Sequence, residues 1–265
     1  MRVYVEAIGL CGPGLPNWEA ARPVLAGQAD YVPAQAVPPP CLLLPPNERR
    51  RATQTVKFAL AAGAEGFARS GRDPGRTSTV FTSSGGDGET IHAIMNTLAG
   101  PMRELSPTRF HNSVHNAASG YWSIASGAKA ASSSICAHDD SFAAGLLEAV
   151  AQLGAEPAVA VIAYDVPYPS PLAELRPIGA AFAAALVLSR ERTDGAFASI
   201  DVELLAAPRA ATEMVSPALR RLQASVPAAR CLPLMAALAG QAAEVTLSYL
   251  GDMAVSLLVA PVGNS

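Results

Sequence analysis

At 265 residues, half of them hydrophobic and 15% charged, the chain has enough apolar content to bury one large core or two closely fused halves. Its formal net charge of −3 excludes the basic field on which nucleic-acid binding depends. The apolar runs at 159–163 and 180–188 are strand-sized, so no membrane span is expected; residues 1–10 hold Glu6 and no signal-peptide cleavage pattern, and a soluble, cytoplasmic protein is expected.

Residues 2–14 alternate like a strand and break at Gly12-Pro13-Gly14 into a helix over 17–25. The proline-dense stretch 31–46 forbids a regular helix and reads as an irregular surface excursion. A helix begins at Asn47, and the alanine-rich stretch 52–67 places Val56, Leu60 and Ala64 at helical spacing, which predicts packing on a sheet. The run Glu48-Arg49-Arg50-Arg51 is either a solvated helix start or a docking spot for an acidic protein. A short strand over 79–82 enters Ser83-Ser84-Gly85-Gly86-Asp87-Gly88, which lacks both the Gly-x-Gly-x-x-Gly and the Walker spacing, and a helix over 89–98 follows.

His111 and His115 stand four apart, a metal-ligand spacing if both lie on one helix, yet no third ligand accompanies them, and no metal is expected. The four cysteines, Cys11, Cys41, Cys136 and Cys231, form no Cys-x-x-Cys pair, so neither a zinc site nor a disulfide framework is expected. The stretch 132–153 has a small, polar front half, and its back half places Phe142, Leu146, Ala149, Val150 and Leu153 on one buried helical face. Asp139 and Asp140 sit at the entrance of that helix. They are either simple N-terminal caps or part of a helix-end site where anions and thiolates gather. A strand follows at 158–163, and beyond a proline-rich loop comes the strand-sized apolar run 180–188. Alternating strands and helices predict layered α/β architecture.

The stretch 132–153 resembles the nucleophile elbow of the β-ketoacyl synthases, condensing enzymes of the thiolase fold, in which a strand ending Ser-Val-Asp-Thr-Ala-Cys enters a helix with Leu, Ala and Leu at fixed steps. Laid on without a gap, the pattern puts Ser134 on the family serine, Leu146, Ala149 and Leu153 on the helix positions, and Asp139 on the nucleophilic cysteine. Cys136 falls three residues early. Residues 2–14 resemble the family's opening strand, 178–189 its Gly-Ala-Ala-Ala-Leu-Val-Leu-Glu strand, and 247–254 its closing loop. The resemblance implies an α/β, thiolase-like layered α-β-α-β-α fold, with a ketosynthase-like half over 1–177 and a shortened second half over 178–265 fused into one compact unit. It implies a pseudo-active site of Cys136, His138, Asp139 and Asp140. For Phe110, His111, Asn112, His115, Asn116, Tyr121, Trp122 and Phe142 it implies an interface or acyl tunnel, with a purely structural role left open.

Claisen condensation needs a thiolate and two histidines that support decarboxylation and the enolate. The sequence has no histidine after His138, and the family's His-Gly-Thr motif is missing. The resemblance therefore implies a non-catalytic homologue similar to the chain-length factors of type II polyketide and aryl polyene synthesis. Such a protein needs no cofactor, forms a heterodimer with an active ketosynthase and meets an acyl carrier protein through that complex. The alternatives are an autonomous acyltransferase or thioesterase, with Cys136 as nucleophile and His138, His111 or His115 as base, and a homodimeric acyl-binding scaffold.

Overall fold

The computed structural model describes residues 1–101, 103–240 and 242–263. Its strands are β1 (Arg2–Cys11), β2 (Ser78–Thr82), β3 (Ser132–Ile135), β4 (Ala158–Asp165), β5 (Phe182–Ser189), β6 (Ala198–Leu205), β7 (Ala243–Tyr249) and β8 (Met253–Pro261). They form one sheet in the order β3-β2-β4-β5-β1-β6-β8-β7. The pairs β2–β3 and β2–β4 are parallel and the remaining pairs antiparallel. The helices are α1 (Trp18–Leu25), α2 (Pro46–Arg51), α3 (Gln54–Ser70), α4 (Gly88–Ala99), α5 (Pro107–Asn112), α6 (Ala117–Ser126), α7 (Ser141–Gln152), α8 (Leu172–Leu175), α9 (Pro217–Ser225) and α10 (Leu232–Ala239).

Every residue of β4 and β5 is buried. These are the near-continuous apolar runs of the sequence, and only a central position with both faces covered suits them. One face packs against α3 and α6, where Leu60, Phe67, Tyr121 and Trp122 meet Phe81, Ile162 and Ala185. The other packs against α1, α7, α9 and α10, where Trp18, Phe142, Leu146 and Leu222 meet Val161, Ala184 and Ile200. The strands after β5 extend the same sheet beyond β1 instead of stacking a second one. Among the described residues, helices thus cover both faces of one sheet.

Two expectations need local correction. The helix expected from Asn47 onward is interrupted: Ala52 is extended, with ψ 124°, and the Thr53 side chain accepts a hydrogen bond from Val56 N, so that α3 starts afresh. His111 lies in the last turn of α5, while His115 lies in the turn before α6, so the two rings share no helical face. Residues 217–239, for which the pattern had raised no expectation, form α9, a 3-10 turn (Pro227–Cys231) and α10.

Gly9 allows α3 its close approach to the sheet, because a Cβ there would stand 1.9 Å from the Ala62 carbonyl oxygen. Backbone cannot yield as a side-chain tip can. Gly9→Ala should therefore cost about 3 kcal/mol, the upper range for overpacking a core, read as a lower urea midpoint with an unchanged slope.

Candidate functional site

The elbow is built by local geometry. β3 ends at Ile135, and a 3-10 turn over His138–Asp140 leads directly into α7. His138 takes the left-handed conformation, φ 51°. Ser141 closes the turn: its Oγ accepts from Ala137 N at 3.0 Å and donates to the His138 carbonyl at 2.7 Å. Neither aspartate caps α7 with its side chain, which corrects the capping expectation.

Both carboxylates turn instead to arginines from distant parts of the chain. Asp139 pairs with Arg176 at 2.5 Å and with Arg230 at 2.9 Å. Asp140 pairs with Arg230 at 3.1 Å and accepts from Ser248 Oγ at 2.8 Å and Leu250 N at 3.0 Å. Partial burial opposes ionisation of Asp139, but the Arg176 hydrogen bond and the charges of Arg230 and Arg176 outweigh it and hold the carboxyl below its ordinary range. Beside this cluster lies a pocket of about 340 Å³ whose wall includes Phe142, Ala143, Gln223, Arg230 and Leu247.

The Cys136 thiol is exposed, and its Sγ donates to the Ser84 carbonyl at 3.2 Å. The candidate bases are engaged elsewhere. His115 Nε2 lies 3.2 Å from the Ser83 carbonyl, the His111 ring stands edge-on to Tyr121 at 6.0 Å, and His138 Nδ1 is 3.5 Å from Asp139. Among the described residues no histidine hydrogen-bonds the Cys136 thiol.

The candidate residues of 110–122 divide by exposure. Phe110 is 64% exposed, and His111 and Asn116 are also exposed. Asn112 is buried, donates to the Arg51 carbonyl at 3.0 Å and accepts from Tyr121 Oη at 3.1 Å, thereby tying α5 to α2 and α6. Trp122 is buried against Phe67, with ring centroids 5.2 Å apart.

Sequence reasoning passed over Asp165, the 2%-exposed last residue of β4. Its Oδ1 accepts from Ser83 Oγ at 3.1 Å, Ser84 N at 2.9 Å and Ser84 Oγ at 2.8 Å, and its Oδ2 from Ala228 N at 2.9 Å. Burial pushes this carboxyl above its ordinary range, against the pull of those hydrogen bonds. The available signal was a lone charge closing an otherwise apolar run.

The family model described as "Beta-ketoacyl synthase, N-terminal domain" matches residues 24–248. The chain belongs to the β-ketoacyl synthase family. No curated protein matches the sequence significantly. Several solved structures share the fold of this ketosynthase-family chain. One is the ketosynthase ApeO in complex with its chain length factor ApeC from Xenorhabdus doucetiae, at 19% identity and TM-score 0.74, with 97% of this chain and 99% of that one covered. Another is the AntDE:AntF complex of a type II PKS acyl-carrier protein with its ketosynthase, at 12% identity and TM-score 0.75, covering 98% and 99%. A third is the ishigamide ketosynthase/chain length factor, at 14% identity and TM-score 0.69, covering 99% of each chain. Among the described residues no helix is long and apolar enough to cross a membrane.

The elbow charges give a pH signature. Because the folded pKa of Asp139 is lowered, its stabilising contribution is present above the unfolded value and disappears as pH falls through the folded one. Arg230→Ala should cost about 1 kcal/mol at pH 7, the upper range for a partly exposed pair. The gap from the parent should narrow below about pH 4, as read from urea midpoints at pH 7 and pH 3.

Proposed function

We propose that this chain is a catalytically silent ketosynthase homologue that pairs with an active ketosynthase and serves as its chain-length factor. One observation carries the reading. At the position the gapless register gives to the nucleophilic cysteine stands Asp139, a carboxylate held by Arg176 and Arg230. Such a group forms no thioester. The chain has no histidine after His138 to play the part of the condensing histidines, and the thiol-enzyme alternative lacks a base on Cys136. Two of the solved structures of similar fold come from ketosynthase–chain length factor assemblies, which supports a ketosynthase as the partner.

A surface suited to that partner lies on α4, α5 and α6, of which α6 packs against the elbow strand. Among the described residues β3 is an edge strand, paired only with β2. The nearby helices leave Met95 at 60%, Leu98 at 42%, Phe110 at 64% and Ile124 at 46% exposure, and Val114 between α5 and α6 at 50%. Apolar side chains gathered in this way mark protein interfaces. In this reading Phe110, His111 and Asn116 face the ketosynthase, and Asn112, Tyr121 and Trp122 brace them from beneath. Residues 1–177 supply the ketosynthase-like half and 178–265 a shortened second half that latches the elbow through Arg230. An acyl carrier protein reaches the complex mainly through the active subunit, and the product class is a type II polyketide or aryl polyene chain.

Native mass spectrometry of the tagged protein from its own cells tests this. A one-to-one complex with a ketosynthase is expected. Phe110→Glu should weaken the complex by about tenfold to a hundredfold without lowering the melting temperature of the isolated chain. Recovery of a homodimer alone would contradict the reading.

A further inference from the structure

Both walls of the elbow are fastened to one buried side chain. The first wall is the loop after β2: Ser84 offers its N–H and Oγ to Asp165 and its carbonyl to the Cys136 thiol, while Ser83 offers its Oγ to Asp165 and its carbonyl to His115. The second wall is the turn Pro227–Cys231: Ala228 N donates to the other oxygen of Asp165, and two residues further on Arg230 clamps Asp139 and Asp140. Asp140 in turn accepts from Leu250 N, in the turn between β7 and β8. We infer that Asp165 is the positioning residue of the elbow, setting the Cys136 thiol through Ser84 and the Arg230 clamp through Ala228.

The choice of a carboxylate follows from the donors. Ser84 N and Ala228 N can only donate, and they approach different oxygens. An asparagine has one acceptor oxygen and one amide nitrogen that donates, so in either orientation it satisfies one backbone amide and confronts the other with a second donor. A carboxylate serves both together, and leaving either donor unpaired at this depth is costly. The inference holds whether or not the chain pairs with a ketosynthase, so it stands or falls separately from the proposed function.

The test compares Asp165→Asn and Asp165→Ala with the full-length parent. Amide hydrogen exchange is read at Ser84, Ala228 and Leu250, and iodoacetamide alkylation at Cys136, with Cys41 as the internal reference. In Asp165→Asn, one near amide should exchange about tenfold faster, the scale of one lost hydrogen bond. The far readout on the same limb should move with it: Leu250 exchange if Ala228 is released, Cys136 alkylation if Ser84 is released. Asp165→Ala should move both limbs. Amides of β5 report global loosening, and Ser84→Ala, which removes the hydroxyl contact to Asp165 while keeping the Ser84 amide bond to it, serves if the alanine variant does not fold; it should move Cys136 alkylation severalfold and leave Leu250 unchanged. If the near amides loosen while Leu250 and Cys136 behave as in the parent, Asp165 is a local structural anchor only and the inference is overturned.

Discussion

A single guanidinium, that of Arg230, faces two adjacent carboxylates at the entrance of α7, and the character of the elbow follows from that arrangement. Asp139 and Asp140 would repel each other at the start of a helix if left alone. Arg230 pairs with both, Arg176 adds a second cation on Asp139, and Ser248 and the Leu250 amide complete the shell of Asp140. With side-chain exposures of 32% for Arg230, 33% for Asp139 and 16% for Asp140, these pairs are neither freely solvated nor fully dry, and desolvation offsets much of their attraction. Their main effect is geometric. In the proposed reading, the position that would present a nucleophile is occupied by a charge already committed elsewhere.

The sheet makes this possible by bringing remote segments to one end. The loops after β2 and β3 and the end of β4 all emerge at one end of their parallel group, as they must when neighbouring strands run the same way. The turn carrying Arg230 is then packed against α7, and the β7–β8 turn reaches Asp140 from the far side. Asp165 lies beneath, where its burial is tolerated because backbone and hydroxyl donors satisfy both carboxylate oxygens.

Much of this frame was legible in the sequence. The apolar runs of β4 and β5, the stops at Gly12-Pro13-Gly14 and the one-sided face of α7 are local patterns with local causes. The proline-dense segment was legible as irregular because proline removes donors regardless of context. What stayed hidden depends on distance along the chain or on missing contrast. Arg230 lies 91 residues from Asp139, and no local rule links the two, so a capping preference filled the gap and pointed the wrong way. In α10, Leu232, Leu234, Met235, Ala237 and Leu238 are all buried; a helix covered all round has no polar face for periodicity to mark. The spacing of His111 and His115 would place both rings on one face only within a single helix, and the chain ends α5 between them. Asp165 carried a signal, though its four hydrogen bonds were invisible until the loops were placed.

The most direct measurement of the central claim is the intact mass of the isolated chain after incubation with an acyl carrier protein thioester, followed by denaturation and peptide mapping. The proposed reading, with Asp139 at the nucleophile position and no histidine on the Cys136 thiol among the described residues, predicts the unmodified mass. A gain of one acyl group mapped to Cys136 would contradict the account and identify the chain as a thiol acyltransferase.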